Sequence, residues 1–136
     1  MKSGIAVLLT IVLFLGGCTE ELREATVVNS NPPGEVSNIH VENLPGAARI
    51  RYALPDDQDL LYVKAVYTLA SGREMVVKSS YYNNSLLVEG FADEKPYTIQ
   101  LFAVNRSEVS STPVDVTVEP LENPIWETYR SLEAIA

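Results

Sequence analysis

Residues 34–120 predict an all-β fold, an antiparallel sandwich of seven short strands. Three observations lead to it. From Val36 to Val118 apolar and polar side chains alternate with a period of two, the pattern of strands buried on one face. Turn signals recur at fairly even spacing, at Leu44-Pro45-Gly46, Pro55, Ala70-Ser71-Gly72 and Gly90-Phe91. No convincing helical period interrupts the strands, so the stable solution is two sheets packed face to face.

The chain opens with a different kind of segment. Lys2 stands before the apolar run Ile5 to Leu15, and Gly16-Gly17-Cys18 follows. A membrane-spanning helix needs about 17–25 apolar residues, and this run is shorter. Small residues before a lone cysteine have the form of a bacterial lipoprotein signal: residues 1–17 are expected to be cut off between Gly17 and Cys18, and the Cys18 thiol to receive lipid. With one cysteine in the chain, no intramolecular disulfide can form, and stability must come from an ordinary apolar core. Residues 18–33 read as a polar tether that ends in Asn31-Pro32-Pro33. The acids Glu20 and Glu21 beside Cys18 resemble an export tag to the outer face of the outer membrane. The expected location is therefore the outer membrane, lipid-anchored and facing the exterior.

Within the sandwich, Val36, Ile39 and Val41 predict the first strand, and Ile50, Tyr52 and Leu54 the second. Leu61, Val63, Ala65, Tyr67 and Leu69 share one face of a third, which turns at Ala70-Ser71-Gly72 into Met75-Val76-Val77. Leu86 and Val88 belong to the fifth strand. Tyr97, Ile99, Leu101 and Ala103 line one face of the sixth, and Val114, Val116 and Val118 one face of the last.

Two segments carry a resemblance. Phe91-Ala-Asp-Glu-Lys-Pro-Tyr97, followed by Thr-Ile-Gln-Leu-Phe-Ala-Val-Asn105, resembles the E–F corner and F strand of a fibronectin type III module, an immunoglobulin-like sandwich. The resemblance gives Phe91 the role of the large corner residue and Tyr97 that of a tyrosine bonding back to the corner's backbone. Ile50-Arg-Tyr52-Ala-Leu-Pro55 resembles the B strand, with Tyr52 where tryptophan is usual. Tyr52 fills less core volume than tryptophan, and its hydroxyl needs a partner. More closely, the chain is similar to the N-terminal fibronectin-like domain of uncharacterised Bacteroidota surface lipoproteins. That likeness implies further β-sandwich domains downstream and gene clusters for glycan capture.

Residues 121–136 read as a linker or the start of a following domain. Asn123-Pro124 is a helix start, with an N-cap side chain and proline in the first turn. Ile125, Tyr129 and Leu132 recur at helical spacing, but three apolar residues cannot hold so short a helix alone. Either the helix docks on the sandwich or it leads into a second domain. Trp126 is expected to pack for this tail.

Composition and motifs restrict the chemistry. The net charge is −8 and no run of basic residues offsets it, which argues against nucleic acid as a partner. His40 is the only histidine and is expected to face solvent, so Ser-His-Asp and His-based metal sites cannot be assembled. Asp56, Asp57 and Asp59 lack the spacing of a calcium loop. No glycine-rich phosphate loop is present. The reading is of a non-enzymatic chain without cofactor or metal. Tyr81-Tyr82-Asn83-Asn84 is the one ligand-contact candidate: aromatic planes stack on the C–H faces of sugars while amides bond their hydroxyls. The alternative is that one tyrosine tucks under the sandwich edge while the other is idle. Phe102 and Val104 fall on the nominally outer face, where they would cover a neighbouring domain or fill the position the family itself keeps apolar. The expected role is an accessory in capture of a glycan or of a partner protein. A purely structural spacer or adhesion domain is the alternative.

Overall fold

The computed structural model describes residues 29–135. Residues 1–28, which contain Gly17 and Cys18, lie outside them. Seven strands follow in order: β1 (Ser37–Leu44), β2 (Ala47–Ala53), β3 (Leu60–Thr68), β4 (Glu74–Ser80), β5 (Ser85–Glu89), β6 (Tyr97–Asn105) and β7 (Val114–Val118). A single helix, α1 (Pro124–Glu133), closes the described chain. The strands form two antiparallel sheets, β1-β2-β5 and β4-β3-β6-β7. The expected seven-stranded all-β sandwich with a short C-terminal helix is therefore what the chain builds.

The core lies between the sheets. Ala48, Ile50, Tyr52, Leu86 and Val88 come from the first sheet, and Val63, Ala65, Tyr67, Ile99, Leu101, Ala103, Val116 and Val118 from the second. Their alternation with outward polar residues is the period of two made physical. The β3–β4 turn is closed by Gly72 N–H donating to Leu69 C=O at 2.8 Å, with Gly72 at φ 81°, a conformation that a side chain would strain.

Two expectations about the core need correction, and one pair of alternatives is decided. The β3–β6 register shifts between Leu60 and Tyr62, so Leu60, not Leu61, enters the core ahead of Val63. The β1–β2 register breaks between Ser37 and His40, with Asn38 at φ 48°. Val36 is buried just before this break and Ile39 packs on the core, but Val41 is exposed on what is an edge strand. Val104 fills an apolar position of the sandwich itself, as the second of its two alternatives has it. It is fully buried, because the segment after β6 folds back on it through a bridge between Val104 and Ser110. Phe102 is half-buried, with Lys64 Nζ 4.9 Å from its ring centroid.

The two ends of β6 are closed by different means. At its start, Phe91 is fully buried with ring centroids 5.4 Å from Tyr67 and 4.5 Å from Tyr97. Gly46 (φ 64°) lies against this corner: its C=O accepts from Phe91 N–H at 3.1 Å and its N–H donates to Leu121 C=O at 2.9 Å. A Cβ there would stand 2.6 Å from Asn123 Nδ2, so the close approach requires glycine. At the far end of β6, Asn105 is fully buried with all its side-chain valences used. Nδ2 donates to the carbonyls of Asn29 and Asn31, each at 3.0 Å. Oδ1 accepts from the N–H groups of Ser107 at 3.0 Å and Val109 at 2.9 Å.

Candidate functional site

Tyr81-Tyr82-Asn83-Asn84 is the link by which the chain leaves one sheet and joins the other, between β4 and β5. Tyr81 N–H donates to Leu61 C=O at 3.2 Å, and Asn83 N–H to Ser80 C=O at 2.9 Å. The Asn84 carbonyl accepts from Tyr52 N–H at 2.9 Å, which ties the turn to β2. Tyr81 packs against the core while Tyr82 is 81% exposed. Their rings lie against each other, with centroids 4.0 Å apart and planes inclined at 33°. This is the placement that the alternative reading expects of the pair. One tyrosine tucks under the sandwich edge, and it holds the other outward as a ring with one open face. The Tyr82 hydroxyl raises the Tyr81 phenol above its ordinary value; slight burial adds to this, and Arg106 offsets part of it. Asn83 and Asn84 are exposed beside the pair.

Tyr52, Phe91 and Tyr97 build the scaffold. Tyr97 departs from the expected corner bond: its hydroxyl donates not to the backbone but to Asp93 Oδ1, at 2.7 Å. The reason is local. Asp93 lies four residues before Tyr97, and its carboxylate also meets Lys95 Nζ at 3.0 Å. Burial and then this carboxylate push the Tyr97 phenol up to about 12. The Tyr97 hydroxyl and Lys95 hold Asp93 below its ordinary value. The backbone-bonded tyrosine is Tyr67 instead, which donates to Glu89 C=O at 2.9 Å and accepts from Glu89 N–H at 3.1 Å. Tyr52 is buried and its hydroxyl makes no hydrogen bond. Burial raises its phenol, and nearby Ser79 offsets only part, since the Ser79 hydroxyl is committed to Ser85 C=O at 2.8 Å.

The tail docks by polar contacts. The Asn123 side chain caps α1 by accepting from Ile125 N–H at 3.1 Å, and its Nδ2 donates to Phe91 C=O at 3.1 Å. Trp126 Nε1 donates to Ala92 C=O at 2.7 Å. Ile125, Tyr129 and Leu132 nevertheless remain exposed, and a recess of about 390 Å³ opens between Phe91, Ile125, Trp126 and Tyr129.

His40 is exposed on β1. The loop aspartates serve the loop: Asp57 Oδ1 accepts from Asp59 N–H at 2.8 Å, and Asp59 Oδ2 from Asn29 Nδ2 at 2.8 Å. Among the described residues no group of three His, Cys, Asp or Glu is placed to hold a metal ion, and no helix is long and apolar enough to cross a membrane. Asn105 was missed as a structural residue by the period-two reading. Its signal was the Ala-Val-Asn run itself, where three buried residues in succession end the alternation of β6.

Residues 33–120 match the family model described as Domain of unknown function (DUF4959), and the chain belongs to that family. No curated protein matches the chain. Among solved structures it is similar to the chicken CNTN1 FN1-FN3 domains, with 14% identity and a TM-score of 0.59 over 67% of this chain and 32% of that one. It is also similar to the fn3 domain of the human collagen alpha-1(XX) chain, with 18% identity and a TM-score of 0.57 over 69% of this chain and 90% of that one. The Clostridium perfringens spore cortex lytic enzyme SleM is a further neighbour, with 11% identity and a TM-score of 0.53 over 65% of this chain and 28% of that one. At these identities the likeness is one of fold. A fibronectin type III-like sandwich of this kind is compatible with a non-catalytic adhesion or spacer module.

Proposed function

We propose that this chain is a non-catalytic module of a cell-surface lipoprotein, held at the outer membrane by lipid on Cys18. It serves as an accessory in the capture of a glycan or of a partner protein. The observation that carries the reading is the Tyr81–Tyr82 pair, in which a half-buried ring supports one that is 81% exposed. A soluble domain gains nothing for its own core from presenting Tyr82 this way, whereas a sugar ring finds a flat aromatic face with Asn83 and Asn84 beside it. The test is a glycan array, followed by calorimetry on any hit, with wild type and Tyr81→Ala/Tyr82→Ala. Binding that the double substitution weakens at least about tenfold, with the fold retained, supports the platform. No glycan bound by the folded wild type sinks it.

The anchoring part is tested separately. Cys18→Ser is expected to release the protein from the membrane fraction or to leave its signal uncleaved; normal retention and maturation would contradict lipidation.

A specific observation favours a second reading, that of a spacer. The apolar side of α1 lies open beside the Phe91 corner, where a neighbouring domain would cover it. A wild type without ligand would turn the interpretation toward that role.

A further inference from the structure

The outward face of β4-β3-β6 holds a row that the fold does not need. Lys64 on β3 stands directly opposite Lys78 on β4, and Lys64 is also opposite Phe102 on β6. Like charges directly across a ladder repel and cost stability. Among the described residues no other two cations face each other across a ladder, and four of the six remaining cations are ion-paired. Arg49 and Arg51 share Glu42, Lys95 meets Asp93, and Arg130 meets Glu122. Neither lysine of the row makes an ion pair among the described residues. They lie over aromatic rings instead, Lys64 Nζ 4.9 Å from the Phe102 centroid and Lys78 Nζ 4.5 Å from that of Tyr62. The neighbouring carboxylates are engaged or further along the sheet: Glu108 accepts from Tyr62 Oη, Asp115 from Gln100 Nε2, and Glu74 stands opposite Thr68 at the strand end.

From this geometry we propose that the outer face of β4-β3-β6 binds an acidic polysaccharide, its carboxylate or sulfate groups meeting Lys64 and Lys78. An incoming anion draws the two ammonium groups off the rings. The uncovered faces of Phe102 and Tyr62 then receive the C–H face of the sugar that carries the anion. Next to the row lies a cleft of about 390 Å³ lined by Val66, Thr68, Glu74, Thr98 and Gln100, whose hydroxyl, amide and carboxylate groups suit sugar hydroxyls. An acidic peptide fits less well. β3 is paired on both sides, so its backbone has no free ladder groups to offer an added strand. This inference rests on the glycan-capture reading and narrows it to an anionic glycan at a second surface.

The test uses the full chain in mild detergent, passed over immobilised polygalacturonate, dextran sulfate, neutral dextran and polyglutamate at rising salt. Retention is expected on polygalacturonate or dextran sulfate, showing which anion is preferred, and should weaken with salt. It should be absent on neutral dextran and weaker on polyglutamate. Lys64→Gln/Lys78→Gln should reduce it at least roughly tenfold without lowering the thermal midpoint, because the facing charges are removed. Arg49→Gln/Arg51→Gln removes the same charge from the other sheet and should leave retention intact. The single lysine variants carry the test if the double variant fails to fold. No retention on either acidic polysaccharide, equal retention on polyglutamate, indifference to the lysine substitutions, or an equal loss in the arginine control would each overturn the proposal. A neutral glycan bound through Tyr81 and Tyr82 would leave the accessory role standing while this inference fell.

Discussion

The two ends of β6 solve the same problem with opposite chemistry. Where the strand begins, Phe91, Tyr67 and Tyr97 close the sandwich by ring packing around a glycine that admits a close approach. Where it ends, one buried amide gathers four backbone groups, from Asn29, Asn31, Ser107 and Val109. The apolar end depends on volume, which several side chains can supply in part. The polar end depends on a set of directions that only an amide of this length supplies. The core therefore has one end that degrades gradually on substitution and one that is either satisfied or not.

Substitutions can sharpen that contrast. Phe91→Ala should have the largest effect, about 3–5 kcal/mol by denaturant titration, because a fully buried ring leaves a cavity. Asn105→Ala should cost less overall, about 2–3 kcal/mol, since water can reach some of the released groups. Its loss should be local: hydrogen exchange should rise at Ser107 and Val109, whereas the Phe91 variant should loosen the whole core. Uniform exchange in both variants would erase the distinction between the ends.

Two buried tyrosines test the same idea at smaller scale. Tyr67→Phe breaks both bonds to Glu89 and should cost about 1–3 kcal/mol. Tyr52→Phe removes a hydroxyl that has no hydrogen-bond partner, and should cost nothing or stabilise by up to about 1 kcal/mol. Equal losses in the two would mean that hydrogen bonding is not what separates them.

The effect at Tyr97 depends on pH. Its folded phenol titrates at about 12 against an ordinary value of 10.0, so the fold favours the neutral form. The stability it lends is complete below about pH 10 and is lost as pH rises through about 12. Asp93 works in the other direction: held below its ordinary value, it adds stability above the usual carboxylate range that disappears as pH falls through its folded value. Tyr97→Phe should therefore be less stable than wild type at neutral pH, with the gap closing at both extremes in denaturant midpoints. A gap constant with pH would show that the hydroxyl does not act through Asp93.

Much of the sandwich could be read from alternation alone. Ile99, Leu101 and Ala103, or Leu86 and Val88, face inward because a strand has no other way to hide one side. What escaped that reading breaks the period. A bulge put Leu60 in the place expected of Leu61, and the chain after β6 folded back to bury Val104. The fibronectin-like resemblance located the Phe91–Tyr97 corner, but not that Asp93 would intercept the Tyr97 hydroxyl. At the candidate site, alternation left Tyr81 and Tyr82 unassigned, which is why they stood out. The facing lysines were invisible in the sequence, since opposition across a ladder exists only once the register is known.

The break in β1 has one more consequence. A sandwich leaves its outer strands with unpaired amides and carbonyls, and neighbouring copies can join along such edges into aggregates. At Asn38, with φ 48°, the first strand of this molecule turns out of the straight ladder just where another strand would seek to add. Pro113 stands just before β7, and Pro120 two residues after its end, without an amide proton to donate. Along β1 and β7, two of its four edges, a neighbouring copy therefore finds less ladder to join.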